Sequence, residues 1–306
     1  MVTTSKAIPG QMATQRCIKM MILCKRCLLA SIKIILMNID SEYCMICGSA
    51  EFGPVCEKSG FRYVGCARCR SVRQYPYPSD QEIAGYYADY QTKKSGESVY
   101  LTDAGYACFK RDKAFTFADL GLGDDAFAGK TVLDVGCGTG QFLQMMEDFR
   151  AASVLGMDIS QECIDQARAR ELNCVCGDFL SLDGRYDVIS MWHLIEHLRD
   201  PCQYIAHAYR LLNPDGWLLI ETPVVGVISE SFGADWRFFM PVEHINLFSQ
   251  DALFCLCAKV GLDLRSWIRF GSGNTSGSMP APNKRAMDVI AKKHGFGDTL
   301  AALFVK

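Results

Sequence analysis

TVLDVGCGTG (Thr131–Gly140), running on into QFLQMM (Gln141–Met146), decides the fold of this chain. Thr131 to Val135 is β-branched or apolar except for Asp134, the composition of a parallel strand buried on both faces. Gly136, Gly138 and Gly140 then allow a tight turn and a close approach of backbone to a ligand, which Cβ atoms would hinder. A helix from about Thr139 to Phe149 follows, so its unpaired N–H groups and positive dipole end face the same turn. Alone, a G-x-G-x-G turn is weak, because dinucleotide-binding folds use similar ones. The rest of the chain has to supply matching parts.

It does so in order. Val154 to Met157 reads as a second strand ending in Asp158, where an acid can accept hydrogen bonds from both hydroxyls of a ribose. Ser160 is better placed than Asp158 to cap the helix that follows. Leu172–Cys176 is a third strand, closed by Gly177, Asp178 and Phe179. Tyr186–Met191 is a fourth, with Trp192, His193, Glu196 and His197 just beyond it. After a turn at Leu211–Gly216, Trp217–Glu221 is the fifth, and Leu262–Phe270 with Thr299–Val305 forms an antiparallel finish.

The series VLDVGCGTG, VLGMDIS, CVCGDFL, YDVISMWHLIEHLRDP and LLNPDGWLLIETP resembles the class I S-adenosylmethionine-dependent methyltransferases, from about Gly129 onward. The resemblance implies an α/β fold with a Rossmann-like, seven-stranded, mostly parallel sheet and S-adenosylmethionine as cofactor. It places Asp134, Gly136, Cys137, Gly138 and Gly140 around that donor. It gives Asp158 the ribose hydroxyls and Ile159 a contact with adenine. Asp178 would accept from the adenine amino group, and Phe179 would offer its N–H and an apolar contact.

The totals bound the function class. Hydrophobic residues make up 49% and charged residues 22% of 306, an ordinary globular composition. Of 32 basic residues, six fall in residues 1–40 against the single acid Asp40, which leaves the body with 26 basic and 33 acidic residues. A body of net charge −7 disfavours nucleic acid as a partner. Sixteen cysteines without a convincing signal peptide predict a reducing, cytoplasmic setting. Ile18–Met37 is apolar but broken by Lys19, Lys25, Arg26 and Lys33, so it offers no transmembrane segment. Residues 1–40 read as a disordered or non-native extension, with Met37 as an alternative start; a basic helix on a membrane surface is the competing reading.

Residues 41–75 carry C-x2-C-x18-C-x2-C (Cys44, Cys47, Cys66, Cys69), the spacing of a tetrahedral zinc ribbon with Gly48 and Gly65 beside its knuckles. Four thiolates close the coordination sphere, so this zinc would be structural. Cys24 and Cys27 form a weaker alternative pair, and Cys56 reads as a spare thiol. The module is either a platform over the active site or a stabilising appendage. Residues 76–128 read as a helical linker or lid, starting at Pro76 and Pro78 with Ser79 or Asp80 as cap, and residues 129–306 as the catalytic domain. Tyr86, Tyr87 and Tyr90 recur at helical spacing, as a pocket wall or a packed face.

Catalytic candidates cluster beyond the strand ends, where open α/β sheets bind ligands. His193 is a base or substrate contact there, and His197 a backbone-bonding residue. A long insert, Thr222–Phe248, brings Glu243 and His244. Glu243-His244 with Phe248-Ser249, and the cysteine module ahead of a Pro-x-Pro and tyrosine-rich stretch, resemble bacterial zinc-ribbon methyltransferases, some of which act on sugar nucleotides. That resemblance makes His244 a candidate general base, with Glu243 orienting it only if the two side chains converge. The expected acceptor is a small molecule, a sugar or sugar nucleotide first. A quinone or aromatic hydroxyl is the alternative, followed by RNA methylation or donor binding without turnover. Oligomeric state is not legible in the sequence.

Overall fold

The computed structural model describes residues 42–88, 102–123, 125–273 and 281–306. Residues 1–40, Cys24 and Cys27, Tyr90 and the start of the expected helical stretch from Ser95 lie outside them.

The chain opens with a β-meander: β1 (Phe52–Lys58), β2 (Phe61–Cys66) and β3 (Val72–Tyr75), all antiparallel. Helix α1 (Asp80–Ala88) follows, and Ser79 caps it: its hydroxyl accepts the Glu82 N–H while Glu82 accepts the Ser79 N–H at 2.7 Å. Helix α2 (Asp103–Asp119), capped by Thr102, leads into the main sheet. There β4 (Thr131–Val135), α3 (Gln141–Asp148), β5 (Ser153–Asp158), α4 (Gln161–Arg168), β6 (Cys174–Cys176), β7 (Tyr186–Trp192), α5 (Pro201–Leu211) and β8 (Leu212–Pro223) alternate. The insert holds α6 (Val227–Phe232) and β9 (Asn246–Leu247), and α7 (Gln250–Lys259), β10 (Asp263–Phe270), α8 (Ala281–His294) and β11 (Thr299–Val305) close the chain.

Seven strands pair in the order β10-β11-β8-β7-β4-β5-β6, and β11 is antiparallel to both its neighbours. The α/β class and the seven-stranded sheet are therefore as expected. Order reverses between β4 and β7, which puts the crevice for a ligand beside the carboxyl end of β4. Alternation sorts the core to two faces: Leu133, Val135, Ile189 and Met191 pack on one, Val132, Val188 and Leu219 on the other. Helix α3 closes the second face with buried Phe142, Leu143, Met145 and Met146.

Two strands differ from expectation. β6 starts at Cys174 and not Leu172, because Glu171 takes φ 63° and the Leu172 N–H turns back to the Ala167 carbonyl at 3.3 Å. β8 starts at Leu212, so the expected turn lies inside the strand: pairing with β7 passes from Tyr186–Leu212 to Val188–Trp217 around Asp215 at φ 59°. Among the described residues, no helix is long and apolar enough to cross a membrane, and none of the thirteen described cysteines is in a disulfide.

Gly140 shows how tightly the turn is built. It sits at φ 88°, and an added Cβ would lie 2.5 Å from Leu172 Cδ1. Gly140→Ala should therefore lower stability by about 1–3 kcal/mol in urea denaturation, from crowding and the left-handed backbone together.

Candidate active site

The glycine turn leaves β4 at the reversal point, and Asp158 at the end of β5 is tied into it. Asp158 Oδ2 accepts the Gly138 N–H at 2.9 Å and Oδ1 accepts the Ser160 N–H at 2.8 Å. Each oxygen keeps a lone pair for a further donor. Ser160 caps α4, accepting the Cys163 N–H, so Asp158 is not spent on the helix. An added Cβ on Gly138 would meet nothing within 4 Å, and Ile159 next to the carboxylate is 70% exposed. Open space, an oriented carboxylate and an uncovered apolar side chain fit a ribose with its base.

Three other residues contribute differently from their expected roles. Asp134 is 2% exposed, accepts from Ser190 Oγ at 2.6 Å and braces the turn from beneath. Burial pushes its carboxyl up to about 7, against the Ser190 bond and the Lys113 charge. The Cys137 thiol is likewise turned into the core toward Gly156. Phe179 is 2% exposed and packs edge-on against His207 at 4.7 Å, so its ring is part of the core. It is drawn inward because Asp178 caps a 3-10 turn there, accepting the Leu180 N–H at 3.0 Å.

Beyond β7 and β8 lies a ladder of charge, buried except at His193, whose side chain is 41% exposed. Lys113 from α2 reaches Glu221 Oε1 at 2.7 Å and stands 3.9 Å above the Trp192 ring. His193 Nε2 lies 3.3 Å from the same Glu221 oxygen, and its Nδ1 lies 3.1 Å from Glu196 Oε1. Glu196 also accepts from Thr222 Oγ1 at 2.9 Å. Burial would lower the His193 pKa, but the bonds and charges of Glu196 and Glu221 outweigh it and raise it to about 9. The carboxyls respond in kind: burial works to raise each, and His193 and Lys113 bring Glu196 and Glu221 down to about 2. His193 is thus an imidazolium at neutral pH with both nitrogens directed at carboxylates, which makes it a poor base and a good electrostatic partner for an acceptor oxygen.

His244 is set up the other way. Its Nδ1 donates to the Phe238 carbonyl at 2.9 Å, so Nε2 carries the lone pair. Burial and the nearby His197 charge lower its pKa to about 4, which keeps it neutral. Glu243 does not orient it: Glu243 Oε2 accepts from Tyr86 Oη of α1, and the Glu243 carbonyl accepts from His197 Nδ1 at 2.9 Å. The expected Glu243–His244 dyad is replaced by a carbonyl and a tyrosine. Glu196, His197 and His244 do come within 4.8 Å of one another, but both Glu196 oxygens are engaged by His193 and Thr222. The two histidines likewise bond outside the trio, to the Glu243 and Phe238 carbonyls.

The four cysteines converge at the other end of the insert. Cys44–Cys69 and Cys47–Cys66 sulfurs are 3.5 Å apart, and all four lie within 4.8 Å. Tetrahedral thiolates at about 2.3 Å from zinc would stand about 3.8 Å apart, so the set fits that ion. Its meander is joined to the insert, because β9 pairs with β3 through Val72–Leu247 and Arg73–Asn246. Ser249 Oγ donates to the Cys69 carbonyl at 2.7 Å, and the Val242 N–H to Gln74 Oε1 at 2.9 Å. The loop carrying His244 is held from both sides by the cysteine module.

Lys113, Glu221, Thr222 and the Tyr86–Glu243 pair were not singled out as a site by sequence. Glu221 had a usable signal, an acid near the carboxyl end of a parallel strand. A lysine on a mixed helix gave none.

A family model described as a methyltransferase domain matches residues 110–266, just over half of the chain. The chain is 35% identical over 105 residues to a ubiquinone biosynthesis O-methyltransferase of Pseudomonas paraeruginosa PA7, covering 31% of this chain and 45% of that one. It is 29% identical over 157 residues to a protein of the same name from Leptothrix cholodnii, covering 45% and 66%. The chain thus spans less than two thirds of the length of these relatives. Among solved structures, magnesium protoporphyrin IX methyltransferase of Synechocystis PCC 6803 with bound SAH superimposes with TM-score 0.52 at 14% identity, over 74% of this chain and all of that one. A [4+2]-cyclase superimposes with TM-score 0.50 at 19% identity, over 76% and 98%, so the fold by itself does not select the chemistry. With the family match, the sheet order and the turn agreeing, the chain belongs to the methyltransferase-domain family and has its class I fold.

Proposed function

We propose that this chain transfers a methyl group from S-adenosylmethionine to a hydroxyl of a small acceptor. The observation that carries it is the Asp158 carboxylate, held by two backbone N–H groups at the open glycine turn, beyond the carboxyl ends of the strands that also lead into His193. When bound, the donor supplies a sulfonium-activated methyl group. Asp158 would bind its ribose, Gly136 and Gly138 would admit it, and Ile159 would cover the base. His193, held charged by two glutamates, would steer the acceptor oxygen and stabilise the negative charge that develops on it. His244 Nε2 would take the hydroxyl proton.

An aromatic or quinol hydroxyl is favoured as acceptor. The relatives are named for ubiquinone biosynthesis, and Phe238 lies parallel to His193 at 6.3 Å, with Trp192 adjacent. A sugar nucleotide is the second reading, supported by the union of cysteine module and His244 loop through β9. Methyl-labelled S-adenosylmethionine offered with catechols, quinols and sugar nucleotides tests both. Label in the aromatic arm alone supports the first and label in the sugar arm alone the second. No label in any arm, with donor binding intact, favours a binding protein.

We also propose a structural zinc on Cys44, Cys47, Cys66 and Cys69. Cys69→Ser should reduce zinc from one per chain in elemental analysis and lower the thermal midpoint. It should also reduce methyl transfer, because Ser249 and β9 lose their support. An unchanged zinc content would remove the assignment.

A further inference from the structure

A large cavity among the described residues lies away from the glycine turn, and neither His193 nor His244 lines it. It measures about 1040 Å³ and separates the cysteine module from the insert and α7. Pro54, Val55 and Val72 form one wall, and Val225, Val227 and Phe239 the other. Val55 and Val227 remain 46% and 58% exposed, so the apolar walls are open to solvent.

Arg269 of β10 lies on the same wall and is 9% exposed. Its Nε donates to the Gly297 carbonyl at 2.7 Å, but its buried Nη2 has no hydrogen-bond partner. Asp298, the nearest buried carboxylate, is already occupied: it accepts Trp236 Nε1 at 3.0 Å and Arg237 Nη2 at 3.3 Å. Asp251 also lines the cavity and acts on Arg269 by its charge, but no carboxylate bonds the buried Nη2. A guanidinium is costly to bury without a bonded anion. Gly226 lines the cavity directly over this group, since a Cβ there would sit 3.2 Å from Nη2. Arg68 and Lys259 add positive charge to the lining, while Arg70 is paired with Glu230 at 3.2 Å.

We infer that this cavity is a second binding site, taking an anionic amphiphile, a carboxylate or phosphate on an apolar body, with Arg269 as the anion anchor. The apolar walls suit the body, and the unbonded Nη2 suits the head. Two oxygens on one centre can meet the guanidinium fork, which an alcohol cannot. The inference does not depend on the methyl-transfer reading.

The test is calorimetric titration of the full chain with octanoate, octyl phosphate and 1-octanol. One octanoate or octyl phosphate per chain is expected, with octanol at least tenfold weaker. The tighter of the two anions identifies the head group. Arg269→Gln should weaken both anions about tenfold or more, the loss expected for one charge-assisted contact, with S-adenosylmethionine binding unchanged. Val227→Trp, a substitution at the exposed rim that leaves Arg269 in place, should cause a similar loss at an unchanged melting temperature. Octanol binding as tightly as octanoate, wild-type affinity in both variants, or no binding of either anion would each overturn the proposal.

Discussion

Asp158→Ala should weaken S-adenosylmethionine binding by at least a hundredfold, the largest single loss expected in the donor site. Both carboxylate oxygens are already oriented by the Gly138 and Ser160 N–H groups, so their remaining lone pairs are fixed in direction before a ribose arrives. Hydrogen bonds to a charged group contribute roughly 1.5–3 kcal/mol each, and two of them correspond to about a hundredfold to ten-thousandfold in affinity. The same change leaves two N–H groups at the turn without their acceptor, which adds to the loss. Asp158→Asn separates these effects. It retains one acceptor oxygen and the side-chain shape, so an intermediate loss of about tenfold is expected. Titration calorimetry measures both, with circular dichroism confirming the fold. Affinity within threefold of wild type for Asp158→Ala would falsify the donor assignment.

The turn proposed to receive the donor was legible because it is written in backbone. Glycines at fixed offsets after a buried strand, and an acid at the end of the next one, follow from turn geometry and strand direction. Both survive in the structure at Gly136, Gly138, Gly140 and Asp158. Misreadings arose where a side chain had two places to go. Phe179 follows Asp178 in sequence, but the cap at Asp178 turns the ring toward His207 and into the core. Glu243 and His244 are neighbours in sequence, yet consecutive side chains diverge, and each finds a partner far along the chain, Tyr86 in one case. The β3–β9 pairing brings residues about 175 positions apart into register, which no local pattern reports.

The charge ladder was illegible for a related reason. Lys113 belongs to a helix with no clear apolar face, and nothing in that helix says it will be buried against Glu221. Only the assembled sheet brings Lys113, Glu221, His193 and Glu196 into one line. Lys113 and His193 balance Glu196 and Glu221, which allows the two carboxylates and the lysine to be buried while the His193 side chain stays 41% exposed.

His244→Asn should lower the turnover rate by about a hundredfold to ten-thousandfold, the usual contribution of a positioned base, while leaving the affinity for S-adenosylmethionine unchanged. The pH profile distinguishes it from His193. The His244 pKa is lowered from 6.5 to about 4, so the base remains competent well below neutrality and the acid limb should fall near 4 to 5. The His193 pKa is raised from 6.5 to about 9, so the electrostatic contribution to turnover should be lost above that pH. Stability follows the same signs. The His193 contribution is complete below pH 6.5 and disappears as pH rises through about 9; those of Glu196 and Glu221 are complete above 4.5 and disappear as pH falls through about 2. Glu221→Gln removes one side of the clamp on His193, so it should move the alkaline limb toward neutrality while leaving the acid limb in place. Lys113 faces the same carboxylate and is itself buried, so Glu221→Gln should also lower stability. An acid limb near 6.5 that vanishes in a His193 variant would exchange the two roles, making His193 the base and His244 a brace of the insert. A flat profile in the wild type, with an unimpaired His244→Asn enzyme, would mean that the acceptor loses its proton without help from either imidazole.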